Sequence, residues 1–157
     1  MFKYVQKTTF TIIELLIVIA VISILIGIAL PRFKGMQDEG NIAKAKAELR
    51  TLQIAVESYY IHNENEYPAT GSATLETELS DDANVPVIID EVPTDPFSAT
   101  SADYVWVLGG TNDKFYIIYS VGPDGNGSAV INVNDEVTEI NGDSCIYVSN
   151  IDQDTKP

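Results

Sequence analysis

Phe10-Thr11-Ile12-Ile13-Glu14-Leu15-Leu16-Ile17-Val18-Ile19-Ala20-Val21-Ile22-Ser23-Ile24-Leu25-Ile26-Gly27-Ile28-Ala29-Leu30 holds one charged side chain in 21 residues. At about 1.5 Å of rise per residue, a helix of that length spans roughly 30 Å, the depth of a bilayer core. The run is too long for a secretory h-region, and no small-x-small pattern follows it, which argues against an ordinary cleaved signal peptide. Residues 1–9 form a short polar leader whose Lys3 and Lys7 favour a cytoplasmic N-terminus, although Arg32 and Lys34 on the far side reduce the charge bias. Pro31 closes the span four residues after Gly27. A proline removes a backbone hydrogen bond and glycine softens the helix, so residues 27–31 are expected to kink, to melt locally or to end the helix at the membrane surface.

Helical patterning resumes beyond Pro31. Ile42, Ala45, Leu49, Leu52, Val56 and Tyr59 recur at alternating spacings of three and four, an apolar stripe of helical period. Residues 31–62 are therefore assigned to an amphipathic helix that packs under a sheet. A helix running from residue 10 to residue 62 would be about 80 Å long. His62 stands at its end, where a cation or cap is favourable.

After residue 62 the texture changes. Residues 63–103 are rich in Pro, Thr, Ser and acids and predict an irregular connection. Within it a helical turn is expected near Leu75–Leu79 and an extended piece at Val85–Ile89. Strand-like runs follow at Tyr104–Leu108, Phe115–Val121, Ala129–Val133 and Cys145–Ser149, with turns at Gly122-Pro123-Asp124-Gly125 and Asn141-Gly142-Asp143. This order predicts an α+β fold. A long helix packs on a small antiparallel sheet, with a β-meander over 104–149 and a tail at 150–157.

The charge is divided in the same way. Nine Lys and Arg against 23 Asp and Glu give a net charge of −14. Residues 1–62 carry a net +2, whereas residues 63–157 hold 18 acids against Lys114 and Lys156. No direct nucleic-acid partner is expected of so acidic a head, because phosphate affinity comes from clustered Lys and Arg. One cysteine, Cys145, excludes an internal disulfide and a cysteine zinc site, and one histidine leaves little for a catalytic triad. Asp95 and Asp103 have no companions that would make an acid–base pair of them. No organic cofactor and no enzymatic activity are expected. Tyr59, Tyr60, Tyr67, Trp106 and Tyr116 are assigned to packing between helix and sheet.

Glu14 lies inside the apolar span, where a carboxylate costs roughly 2.5–3.5 kcal/mol on insertion scales unless it is paired or neutralised. It either snorkels or is protonated near the interface, or it has a partner. The nearest candidate cation is an α-amino group, available only if the chain is cut before Phe10. The string Phe10-Thr11-Ile12-Ile13-Glu14-Leu15-Leu16-Ile17-Val18-Ile19-Ala20 resembles the class III signal of type IV pilins and type II secretion pseudopilins. That resemblance implies removal of residues 1–9 by a prepilin peptidase, N-methylation of Phe10, and pairing of Glu14 with the Phe10 amine of a neighbouring copy. It implies a pilin-like fold and a homo-oligomeric filament built through the N-terminal helix, with Gly27 and Pro31 permitting the helix to stretch. An inner-membrane assembly platform and minor pilins or pseudopilins are the further partners. The residue before the cut is Thr9, where the family usually has Gly. The expected localisation is a single inner-membrane pass with the head in the periplasm, then a periplasmic pseudopilus or an extracellular filament.

Within the head, Val92-Pro93-Thr94-Asp95-Pro96-Phe97 and Tyr119-Ser120-Val121-Gly122-Pro123-Asp124-Gly125 resemble strings of the G-type major pseudopilin of type II secretion. In that branch a C-terminal loop binds calcium. Asp124, Asn126 and Ser128 present oxygen side chains at every second position, with Asp135 in the twelfth place, which suggests a Ca2+ site; a solvated hairpin turn is the alternative. Asp143 is a further candidate ligand. The leading expectation is the major pseudopilin of a type II secretion system. A type IV pilus major or minor subunit for adhesion, motility or DNA uptake, and a membrane-anchored calcium-dependent binding module, are the alternatives.

Overall fold

The first helix, α1, runs from Ile12 to His62. The computed structural model describes residues 10–80, 88–100, 102–139 and 144–151. The leader with Thr9, most of the Val85–Ile89 piece, the Asn141-Gly142-Asp143 turn and residues 152–157 lie outside the described residues. The chain divides into two units, one ending at Asp38 and one beginning at Glu39.

In the first unit every side chain from Ile12 to Ile28 is exposed. Such a helix is apolar all round, and among the described residues of its own unit nothing covers it. By length and composition it could cross a membrane. The Ser23 hydroxyl donates to the Ile19 carbonyl at 2.7 Å, which satisfies it without a partner from elsewhere. Helical structure continues through Gly27 and Pro31. The chain therefore forms the single long helix expected from its two halves, rather than a helix ending at the membrane surface. One backbone bond lost at a proline does not outweigh the propagation favoured by the residues on either side.

In the second unit the residue 39–62 part of α1 buries the stripe foreseen from its spacing. Ala45, Leu49, Leu52 and Val56 are fully buried, while Ile42 and Tyr59 are half-buried. The helix α2, Ser72–Ser80, is longer than the turn expected there, and it buries Leu75 and Leu79 against the same core. Spacing by four places both leucines on one helical face, which is enough to dock two turns of helix.

The strands are β1 (Val105–Gly109), β2 (Phe115–Ser120), β3 (Ala129–Ile131), β4 (Val137–Glu139) and β5 (Ile146–Ser149). They do not form one meander. A three-stranded antiparallel sheet has the order β1-β2-β5, and β3 pairs with β4 in a separate two-stranded sheet. The break has a local cause. Val121–Ser128 folds into consecutive turns, with Gly125 N donating to Gly122 O at 2.9 Å and Gly127 N to Val121 O at 2.8 Å, so the chain leaves the sheet after β2.

β2 is central and buried on both faces. Tyr116 and Ile118 pack with Trp106 against α1, in register with Leu108 and Trp106 of β1. Ile117 points the other way, into a smaller core with Ala129 and Cys145. That double burial explains why Phe115–Val121 is a nearly continuous apolar run rather than an alternating one. Trp106 Nε1 donates to the carbonyls of Pro68 and Ala69 at 3.2 and 3.0 Å, tying the segment after α1 to the sheet.

Candidate functional site

The start of α1 is a reciprocal cap. Glu14 N donates to Thr11 Oγ1 at 3.3 Å, and Glu14 Oε2 accepts from Thr11 N and Thr11 Oγ1, each at 2.9 Å. Thr11 is the N-cap and Glu14 the third helical residue, the spacing of a capping box. Sequence reasoning missed this role, although the T-x-x-E pattern before an apolar run was its signal. Both contacts use Oε2. Among the described residues no hydrogen bond reaches Glu14 Oε1. Phe10 is exposed immediately before the cap. Gly27 has open space around it, so no close packing within the unit requires a glycine there.

The two pseudopilin-like strings of the head meet at one carboxylate. Asp95 is 4% exposed. Its Oδ1 accepts from Ser120 Oγ at 2.8 Å and from Phe97 N at 3.0 Å, and its Oδ2 accepts from Val121 N at 2.9 Å. Ser120 Oγ in turn accepts from Gly122 N at 3.1 Å. A buried carboxylate is tolerated when donors surround it, and here the donors come from both strings. Asp95 N also donates to Ala102 O at 3.0 Å, and Thr94 bridges to Asp103. The residue is thus a clasp that fixes the 92–97 turn to the end of β2. Its Phe97 contact is local, but Ser120 and Val121 lie about 25 residues away, beyond the reach of any local pattern.

The nominated calcium residues divide between two places. Asp124 Oδ1 accepts from Ser144 Oγ at 2.5 Å and from Asn126 N at 3.1 Å. These contacts, Ser144 first, hold the Asp124 carboxyl below its ordinary range. Asn126 Nδ2 donates to Asp124 O at 3.0 Å, and Ser128 lies at the end of the same turn. Asp135 instead receives Thr111 N on Oδ1 at 2.8 Å and Thr111 Oγ1 on Oδ2 at 2.7 Å. The structure brings Asp124, Asn126 and Ser144 together and holds Asp135 at the β1–β2 connection. Among the described residues no group of three or more His, Cys, Asp and Glu side chains gathers as a metal centre would. Gly122 makes this arrangement possible. Its φ of +72° and the 2.0 Å from an added Cβ to the Ser144 carbonyl leave room for glycine alone.

Three tyrosine–glutamate hydrogen bonds bind α1 to the rest of the head. Tyr104 OH donates to Glu48 Oε2 at 2.7 Å, Tyr116 OH to Glu57 Oε1 at 2.6 Å, and Tyr59 OH to Glu78. Burial, reinforced by these carboxylates, raises the hydroxyl pKa of Tyr104 and Tyr116 and pushes that of Tyr59 up to about 12. Tyr60, Tyr67, Tyr116 and Trp106 form a run of ring contacts with centroids 4.5 to 5.2 Å apart. These rings serve packing.

A family model described as type II secretion system (T2SS), protein G matches residues 32–138. A type II secretion system core protein G from Pectobacterium carotovorum subsp. carotovorum is 29% identical over 127 residues, which cover 76% of this chain and 78% of that protein. The protein of the same name from Escherichia coli (strain K12) is 28% identical, over 76% of this chain and 84% of its own length. That from Pseudomonas aeruginosa is 26% identical over 128 residues, 76% of this chain and 86% of its own. No solved structure gives a significant match.

Proposed function

The chain belongs to the type II secretion system protein G family, and we infer from this that it is the major pseudopilin of such a system, a structural subunit that assembles with other components of that system into a pseudopilus. The similarities do not favour a type IV pilus subunit or an anchored calcium module. The observation that carries the assembly reading is the bare apolar helix. Seventeen consecutive side chains from Ile12 to Ile28 are exposed, so lipid or other copies of the helix must cover them.

The finer steps are proposals. A prepilin peptidase removes residues 1–9 and methylates Phe10, and the platform and minor subunits act on the mature chain. Before assembly the helix crosses the inner membrane with its head in the periplasm. The new amine of one copy then pairs with Glu14 of the next. The capping geometry supports this, because it occupies Oε2 and leaves Oε1 for a cation. Such a buried pair sets register more than it adds stability. Gly27 and Pro31 give the helix a weak point for stretching on entry to the filament.

Two measurements test the reading. The intact mass and N-terminal sequence of the membrane or sheared-filament fraction should show a chain beginning at methylated Phe10. Glu14→Gln retains a capping side chain but removes the charge. It should insert normally and yield no filaments; wild-type filament yield from this variant would refute the pairing.

Calcium at the Asp124–Ser128 turn is a separate proposal. Asp124, Asn126 and Ser128 offer oxygen donors only, the kind calcium takes, and a single carboxylate implies weak affinity. Calcium should raise the melting temperature of the wild type and not that of Asp124→Asn. An equal response in both would exclude Asp124 as a ligand.

A further inference from the structure

The acidic head poses a packing problem that the sequence alone states. Beyond residue 62 there are 18 acids and two cations, so like heads placed side by side repel one another. A filament of this chain needs countercharge at each contact. From residue 39 onward the cations are Lys44, Lys46, Arg50, Lys114 and Lys156, and three of the five fall within two turns of α1.

The structure shows which of those three are available. Lys44 Nζ lies 3.7 Å from Glu48 Oε1 of its own helix. Lys46 and Arg50 are exposed, four residues apart on one face, and make no ion pair or hydrogen bond among the described residues. They line a groove of about 430 Å³ between α1 and β5, together with Leu49, Gln53, Ile146 and Val148. β5 is the edge strand of its sheet, and Gln53 Nε2 donates to the Ser149 carbonyl at 3.2 Å at one end of the groove. Two exposed cations lining a groove of mixed polarity at a strand edge suit a carboxylate-bearing protein segment.

We propose that this groove is the seat of the acidic head of a second copy of the chain, with Lys46 and Arg50 bound to its carboxylates. The proposal rests on the filament reading above and names the head contact within it. The groove and the acidic surface are different patches of one molecule. Their contact is heterologous, and repeated without closure it builds an open helical filament. Charge complementarity also fixes register, since any contact that leaves both surfaces acidic is repelled.

The test uses full-length chain in cells that carry its assembly machinery. Lys46→Glu/Arg50→Glu should insert in the membrane and melt as the wild type does, and filament yield should fall at least tenfold. A zero-length carbodiimide joins an amine to a carboxylate in contact with it. On wild-type filaments it should give a ladder of covalently linked subunits. Lys46→Arg keeps the charge but cannot form the amide, so its filaments should persist while the ladder fades several-fold. Normal filaments from the double glutamate variant, or an undiminished ladder from Lys46→Arg, overturns the groove proposal alone. A link from Lys46 to a different protein also overturns it. Absence of any wild-type filament overturns the assembly reading as well, so the two failures are distinguishable.

Discussion

Replacing Asp95 by asparagine removes one oxygen and leaves everything else in place. The carboxylate has three donors around it, Ser120 Oγ, Phe97 N and Val121 N, at 2.8 to 3.0 Å. An amide can accept on one side only. If its oxygen faces Ser120 and Phe97, its NH2 group confronts the Val121 N–H. If it is flipped, the Phe97 N–H is left without an acceptor. Either way one buried backbone donor is orphaned, at about 1–3 kcal/mol, and the charge-assisted character of the remaining bonds is lost. A total of about 2 kcal/mol is expected for Asp95→Asn and about 4 for Asp95→Ala, where all three donors lose their acceptor. At about 4 °C per kcal/mol, Asp95→Asn should lower the melting temperature by about 8 °C. Trp106 is 1% exposed, so its fluorescence reports the transition. Ser120→Ala should cost less alone, and the pair should couple by at least about 0.5 kcal/mol in a double-mutant cycle. An Asp95→Asn variant melting within about 2 °C of the wild type, or simple additivity with Ser120→Ala, would refute the clasp.

Two other outcomes follow from the geometry. Gly122→Ala should destabilise the head by more than about 3 kcal/mol, because its Cβ would meet the Ser144 carbonyl, whereas Gly125→Ala, with similar φ but open space, should cost about 1–2 kcal/mol; equal melting temperatures would refute the distinction. Raised tyrosine pKa values stabilise the fold below the unfolded value near pH 10, and that contribution is lost as pH rises, for Tyr59 between about 10 and 12. Melting temperature should therefore fall in alkali, and less steeply in Tyr104→Phe/Tyr116→Phe; an unchanged slope in that variant counts against the assignment.

The elements that follow from repetition were legible in the sequence. Ala45, Leu49, Leu52 and Val56 announce a buried face by spacing alone, and the Phe10–Leu30 run needs only its length. Pairing was harder. The turns after β2 divert the chain, so β5 returns to β2 past a separate hairpin, and no local pattern encodes that skip. The site residues divide likewise. Glu14 stood out because charge is costly in an apolar run, yet its capping partner three residues earlier went unread. Asp95 seemed idle beside Asp103, because its real partners, Ser120 and Val121, lie far along the chain.

The tyrosine–glutamate bonds have a mechanical consequence. Glu48 and Glu57 are nine residues apart, about 14 Å along the helix axis, and Tyr59 adds a third tie beside the second. A tensile load transmitted along α1 reaches these ties together, in shear, across the same surface that Leu49, Leu52 and Val56 fill. The helix is thus fastened to its cargo as a rivet row fastens a strap, and force applied to one is delivered whole to the other.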